Sequence, residues 1–130
     1  MIILTIRTDK PEAEIGLYDN DERLAYEKWP AHRQLAETIH TKIEELLKSC
    51  SDTWQDIEGI VCFQGPGSFT GLRIGLSVSN AISYGLNVPI VATQNDDWIK
   101  HGLKRLQKGD SDRLALPHYG SPPHITLPHK

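Results

Sequence analysis

The sequence predicts an α/β fold, a mixed five-stranded sheet carrying three helices, and three observations predict it. An apolar run (Ile60, Val61, Cys62, Phe63) leads into a glycine turn, a long helical pattern and a second apolar run at residues 88–92. That succession is strand, tight turn, helix, strand: one parallel crossover unit. Upstream, three short apolar runs separated by turn residues read as an antiparallel meander, and downstream Trp98, Ile99, Leu103 and Leu106 recur at helical spacing.

Taken in order, residues 2–6 form a short apolar run bounded by Arg7-Thr8-Asp9-Lys10-Pro11 and read as the first strand. In residues 13–18, Ala13, Ile15 and Leu17 alternate with Glu14 and Gly16, the period of a half-buried strand. Asp19-Asn20-Asp21 is turn chemistry, and residues 24–28 follow as the third strand. Pro30 is placed to open a helix, as proline does at a first helical position. Within it Leu35, Ile39, Ile43, Leu46, Leu47 and Cys50 share one face. Trp54 and Ile57 bridge to a fourth strand at residues 59–64; after the fifth, Asn95 or Asp96 is placed to cap the third helix. Three antiparallel strands followed by parallel ones, in the order βββαβαβα, is the arrangement of actin-like ATPase and ribonuclease-H-like half-domains.

At 130 residues the chain makes one domain, expected over residues 1–109, able to bury about two-thirds of its unfolded surface. Residues 110–130 carry four of the eight prolines and cannot form a helix. Leu114, Leu116, Tyr119, Ile125 and Leu127 are scattered through them, so this proline-rich tail reads either as a loose end or as an extended strap laid on the domain or a partner. A net charge of −3 gives no global attraction to nucleic acid or membrane. Cys50 and Cys62 sit among apolar neighbours and read as reduced core residues. No charged leader precedes an apolar stretch and no run approaches the ~20 residues of a membrane helix, so a cytoplasmic, membrane-free protein is expected.

The helix after the glycine turn has an unusual surface. Gly71, Gly75, Ser79 and Ser83 recur every four residues as a stripe of small side chains, flanked by Leu72 and Leu76, while Ile74, Val78, Ala81 and Ile82 cover much of the remainder. Gly75 inside a helix costs about 1 kcal/mol relative to alanine, so something must use the missing side chain. The expectation is a helix held between its own sheet and a second, closely packed helical surface.

Chemistry is sparse. The turn Gly65-Pro66-Gly67-Ser68-Phe69-Thr70-Gly71 precedes a helix, where anions bind, which suggests a small nucleotide-binding enzyme as one alternative. A phosphate loop, however, needs lysine and a hydroxyl residue after its last glycine, and Leu72 and Arg73 stand there. Arg7, with Asp9 two residues on, occupies the end of the first strand, where an actin-like site needs an acidic residue to hold metal-bound phosphate. His32 and His40 are eight apart, and His118, His124 and His129 have no nearby cysteine or carboxylate, so no metal, cofactor or catalytic residue is assigned. Lys100, Lys104 and Lys108 form a row beside His101 and Arg105, which reads as a solvated face or, as a second alternative, a direct tRNA-binding module.

The segment Gly65-Pro66-Gly67-Ser68-Phe69-Thr70-Gly71-Leu72-Arg73-Ile74-Gly75, with Ile3-Leu4-Thr5-Ile6, residues 32–47 and 54–64 and Val88-Pro89-Ile90-Val91, resembles the TsaB (YeaZ) family over about residues 1–106. The family's usual Asp-Thr-Ser after the first strand is Arg7-Thr8-Asp9 here, and its second, similarly folded domain has no counterpart, so the chain reads as a short form. The resemblance implies a non-catalytic scaffold that partners a TsaD-like catalytic subunit in forming N6-threonylcarbamoyladenosine next to the tRNA anticodon. A TsaE-like ATPase joins the complex, tRNA is met through it, and a homodimer uses the same helices. The implied interface comprises Leu35, Ile39 and Ile43 of the first helix and Gly71, Ile74, Gly75, Val78 and Ser79 of the second; which of them face the sheet instead is left open.

Overall fold

The structure is a computed structural model that describes residues 1–31, 34–67 and 69–117, the side chain of Phe69 excepted. Its strands are β1 (Ile2–Arg7), β2 (Glu12–Asp19), β3 (Glu22–Pro30), β4 (Gly59–Phe63) and β5 (Ile90–Thr93). Its helices are α1 (Leu35–Ser49), α2 (Phe69–Leu86) and α3 (Trp98–Gln107), with a short 3-10 turn at Trp54–Asp56. The sheet order is β3-β2-β1-β4-β5: β1, β2 and β3 are antiparallel neighbours, and β4 lies parallel to both β1 and β5. This is the actin-like, ribonuclease-H-like arrangement, and the mixed sheet with three helices matches the expectation.

The alternation of side chains along each strand assigns the helices to faces. On one face, a Cβ built on Gly59 would lie 3.0 Å from Leu106 and one on Gly102 would lie 2.3 Å from Val61, while the Phe63 and Trp98 rings meet edge-on at 5.8 Å. Helix α3 therefore covers the face of Gly59, Val61 and Phe63. On the other face, Thr8 meets Gly75 of α2, Trp29 donates to Thr38 of α1 at 3.1 Å, and Lys42 of α1 pairs with Glu27 at 2.8 Å. Helices α1 and α2 thus share one side, above a core that includes Leu4, Ile6, Ile15, Leu17, Ile39 and Ile43.

Several boundaries differ from the sequence expectation, each for a local reason. Pro30 does not open α1; it ends β3 opposite Glu12, tolerated because β3 is an edge strand whose outer groups need no ladder partner. The β2–β3 turn falls at Asn20 and Asp21 as its residues require, with Asn20 at φ 54. Strand β5 begins at Ile90 rather than Val88. The N-cap of α3 is Asp97, without a side-chain capping bond, rather than Asn95 or Asp96. Of the tail, residues 110–117 are held on the domain by polar bonds, whereas Leu114 and Leu116, two of the apolar residues expected to lie on it, are 58% and 59% exposed. Residues 118–130, with Tyr119, Ile125 and Leu127, lie outside the described residues, as do His32, Arg33 and Ser68.

Candidate docking face and glycine turn

Helix α1 is amphipathic in the simplest sense. Leu35, Ile39, Ile43, Leu46 and Leu47 are buried toward the sheet, and Ala36, Glu37, His40, Thr41, Glu44 and Glu45 are exposed. Leu35, Ile39 and Ile43 are at most 4% exposed, so three of the predicted interface residues have no surface to offer a partner. Their burial makes them core.

Helix α2 divides its small-residue stripe from its outward face. Gly75 lies against β1: a Cβ there would sit 2.0 Å from Thr8 Oγ1. Thr8 Oγ1 donates to the Gly71 carbonyl at 2.7 Å, and Ser79 Oγ to the Gly75 carbonyl at 2.7 Å. Ser79 is fully buried and Ser83, which donates to the Val88 carbonyl at 2.6 Å, is 7% exposed. The missing side chain of Gly75 therefore admits the chain's own Thr8, not a neighbour's backbone. This corrects the expectation for Gly75 and Ser79, because the stripe closes onto the strand end that precedes the β1–β2 turn. Gly71 is partly buried and held by the same threonine.

Ile74 and Val78, in contrast, are only half-buried and stay on the outward side. With Ala36 of α1 and Thr70, Arg73 and Ser77 of α2 they line a groove of about 390 Å³ between the two helices. The same face continues past Ala81 to Tyr84, whose side chain is 90% exposed. Sequence reasoning missed Ala36, Ser77 and Tyr84. Tyr84 stands ten residues from Ile74, and continued helical spacing from Ile74 would have reached it.

The glycine turn is closed by the chain itself. Gly65 has φ 122, open only to glycine at no cost, and a Cβ on Gly67 would meet Asp9 Cβ at 2.4 Å. Asp9 is 8% exposed, and Arg7 Nε donates to its Oδ1 at 2.7 Å while the guanidinium stacks 3.9 Å above the Phe63 ring. The Arg7–Asp9 pair thus packs against the turn, with an acceptor side chain filling the space beside Gly67 where an anion site would need a donor. On α3 Lys100, His101 and Lys104, and just past its end Lys108, are exposed, but Arg105 is turned into a carboxylate pair. Lys100 and Lys104 share a groove of about 600 Å³ with Asp21, Asp96 and Asp97, so the basic row is interrupted by acids. Among the described residues no cluster of three His, Cys, Asp or Glu side chains could hold a metal ion, and no helix is long and apolar enough to cross a membrane.

Comparison with known proteins finds a match to the family model described as TsaD, tRNA N6-adenosine threonylcarbamoyltransferase, over residues 30–99, just over half of the chain. The chain is 40% identical over 65 residues to a tRNA N6-adenosine threonylcarbamoyltransferase of Geotalea uraniireducens, covering 50% of this chain and 19% of that protein. It is 32% identical over 99 residues to the tRNA threonylcarbamoyladenosine biosynthesis protein TsaB of Bacillus subtilis, covering 73% of this chain and 42% of the relative. The chain therefore spans less than half the length of these curated relatives. Among solved structures, YeaZ from Pseudomonas aeruginosa superposes with a TM-score of 0.68 at 21% identity, over 82% of this chain and 50% of that one, a likeness of fold.

Proposed function

We propose that the chain, which belongs to the family described as TsaD, tRNA N6-adenosine threonylcarbamoyltransferase, and is similar to curated tRNA threonylcarbamoyladenosine biosynthesis proteins TsaB, is a TsaB-like, non-catalytic scaffold for a TsaD-like catalytic subunit. In this reading the subunit forms N6-threonylcarbamoyladenosine next to the tRNA anticodon, and this chain docks on it through the outward faces of α1 and α2. The observation that carries the reading is the two-sidedness of α2: one side is consumed by the sheet, and the other leaves Ile74 and Val78 half-open in a groove beside Ala36.

The matched region, residues 30–99, contains both helices. A catalytic subunit of the matched family therefore carries a corresponding helix pair, and two such pairs meet naturally about a pseudo-two-fold axis. The same face serves a homodimer when the subunit is absent; a TsaE-like ATPase and tRNA join through the complex in the cytoplasm. The carboxylate of Asp9 against Gly67 speaks for a structural rather than a phosphate-holding turn, so calorimetry with ATP and Mg²⁺ on the isolated chain is expected to be silent.

Co-expression with a TsaD-like subunit tests the proposal. The wild-type chain is expected to co-purify with it, and Val78→Arg to weaken retention at least about tenfold with an unchanged urea midpoint, since a buried unpaired charge at an interface is costly. Retention equal to wild type rejects this face as the docking surface.

A further inference from the structure

An open sheet ends in strands whose outward N–H and C=O groups can pair with another chain. Strand β5 is one such edge. Ile60 N–H bonds the Pro89 carbonyl and Gln64 N–H the Thr93 carbonyl, so odd-numbered residues point toward β4 and the outward groups belong to Ile90 and Ala92. All four are occupied. Ile90 N–H faces Ser111 Oγ at 3.4 Å, and the Ile90 carbonyl accepts from Asp112 N–H at 2.7 Å. Ala92 N–H donates to Asp112 Oδ2 at 2.7 Å, and the Ala92 carbonyl accepts from Arg105 Nη1 at 3.3 Å.

The segment that supplies these partners is itself anchored twice. Arg105 forks onto Asp112, Nη2 to Oδ1 at 2.5 Å and Nη1 to Oδ2 at 3.1 Å, and its Nε reaches Asp110 at 2.7 Å. Further on, the Asn80 side-chain amide of α2 exchanges two bonds with the Ala115 backbone, at 2.8 and 2.9 Å, as a neighbouring strand would. Gln64 Nε2 donates to the Leu116 carbonyl at 2.9 Å, and Ala115 is 2% exposed. The opposite edge, β3, is protected differently, by exposed Glu22, Arg23 and Lys28 and by Pro30.

We propose that residues 110–117 are a closing strap that seals the β5 edge, so that association of this chain is confined to its helical face. A side chain, Asp112, takes the place of a strand: it caps Ala92 N–H while its own backbone N–H caps Ile90. Loss of its carboxylate frees Ala92 N–H and the Arg105 fork, which opens the edge at Ala92 to pairing between copies.

Amide hydrogen exchange on the full chain tests the seal. In the wild type, Ile90 and Ala92 are expected to exchange at least about 100-fold slower than in an unfolded peptide. In Asp112→Ala protection at Ala92, whose N–H loses its carboxylate partner, should fall at least about tenfold, with Val61 and Cys62 on β4 changed by less than about twofold. Peptide-like exchange at Ile90 and Ala92 in the wild type overturns the proposal without any variant, and so does unchanged protection in Asp112→Ala. Should that variant fail to fold, Arg105→Gln, which removes the fork and keeps Asp112, is read at the same amides. Sedimentation then tests confinement: Asp112→Ala should acquire concentration-dependent self-association that persists when combined with Val78→Arg. If none appears, or if Val78→Arg abolishes it, the strap does not govern association, whatever the fate of docking through α1 and α2.

Discussion

At the scale of single residues, Gly75 shows how a correct inference can attach to the wrong beneficiary. A mid-helix glycine costs about 1 kcal/mol against alanine, and something does use the vacant position: Thr8, 2.0 Å from where a Cβ would stand. Gly75→Ala therefore gains helix propensity but overpacks the β1 end, for a net loss of about 1–2 kcal/mol in urea unfolding. Thr8→Ala in the same chain should recover part of that loss, and a fully additive double variant would show that the two do not touch. The cysteines give a second expectation. Burial pushes the Cys62 thiol up to about 12, whereas Cys50 is only half-buried. A thiol reagent at neutral pH should find Cys50 alone in the native protein and both thiols after unfolding. Rapid native labelling of Cys62 would contradict its place under Ser79.

At the scale of elements, α1 and α2 were both legible as helices because their apolar residues recur at helical spacing, and that period depends on local geometry alone. Which face of each helix meets the sheet was not read correctly for either: α1 carries its apolar residues on one side, yet Leu35, Ile39 and Ile43 of that side were assigned to a partner and are buried against the sheet, and α2 gave still less to go on. Its apolar residues cover two faces, so periodicity alone offered no way to choose. The structure makes the choice testable. Ile43→Ala, deep under α1, should cost about 2–5 kcal/mol of stability, as buried isoleucine truncations do. Val78→Ala on the outward face of α2 should cost less than about 1 kcal/mol. Equal losses by urea denaturation would mean that Val78 belongs to the core and that α2 has no free face. A strap was one of two readings of the tail, but its anchors lay beyond sequence reasoning: Asn80 and Arg105 are 35 and 7 residues from the groups they bind.

At the scale of the whole molecule, the strap ties the last described residues to both α2 and α3, which gives stability a pH and salt signature. The hydrogen bond and charge of Arg105 hold the Asp110 carboxyl below its ordinary value of 3.8. A depressed folded value means that the pair's contribution is complete above 3.8 and is lost as pH falls through the lowered value. The thermal midpoint of the wild type should therefore exceed that of Asp110→Asn near neutrality, and the gap should close on acidification. Since Asp110 is exposed, high salt should narrow the same gap. A gap that widens in acid would contradict the pairing.

The order of strands and helices, the turn at Asn20 and the absence of a phosphate-loop signature were settled by the sequence alone. They depend on short-range periods and on residue types whose backbone preferences act within a few positions. The tertiary structure alone decided that the small-residue stripe of α2 closes on Thr8, that Leu35, Ile39 and Ile43 are core, that Asp9 stands against Gly67, and that residues 110–117 seal an edge. Each of those outcomes depends on which distant segment arrives at a given surface, and a local pattern carries no record of that.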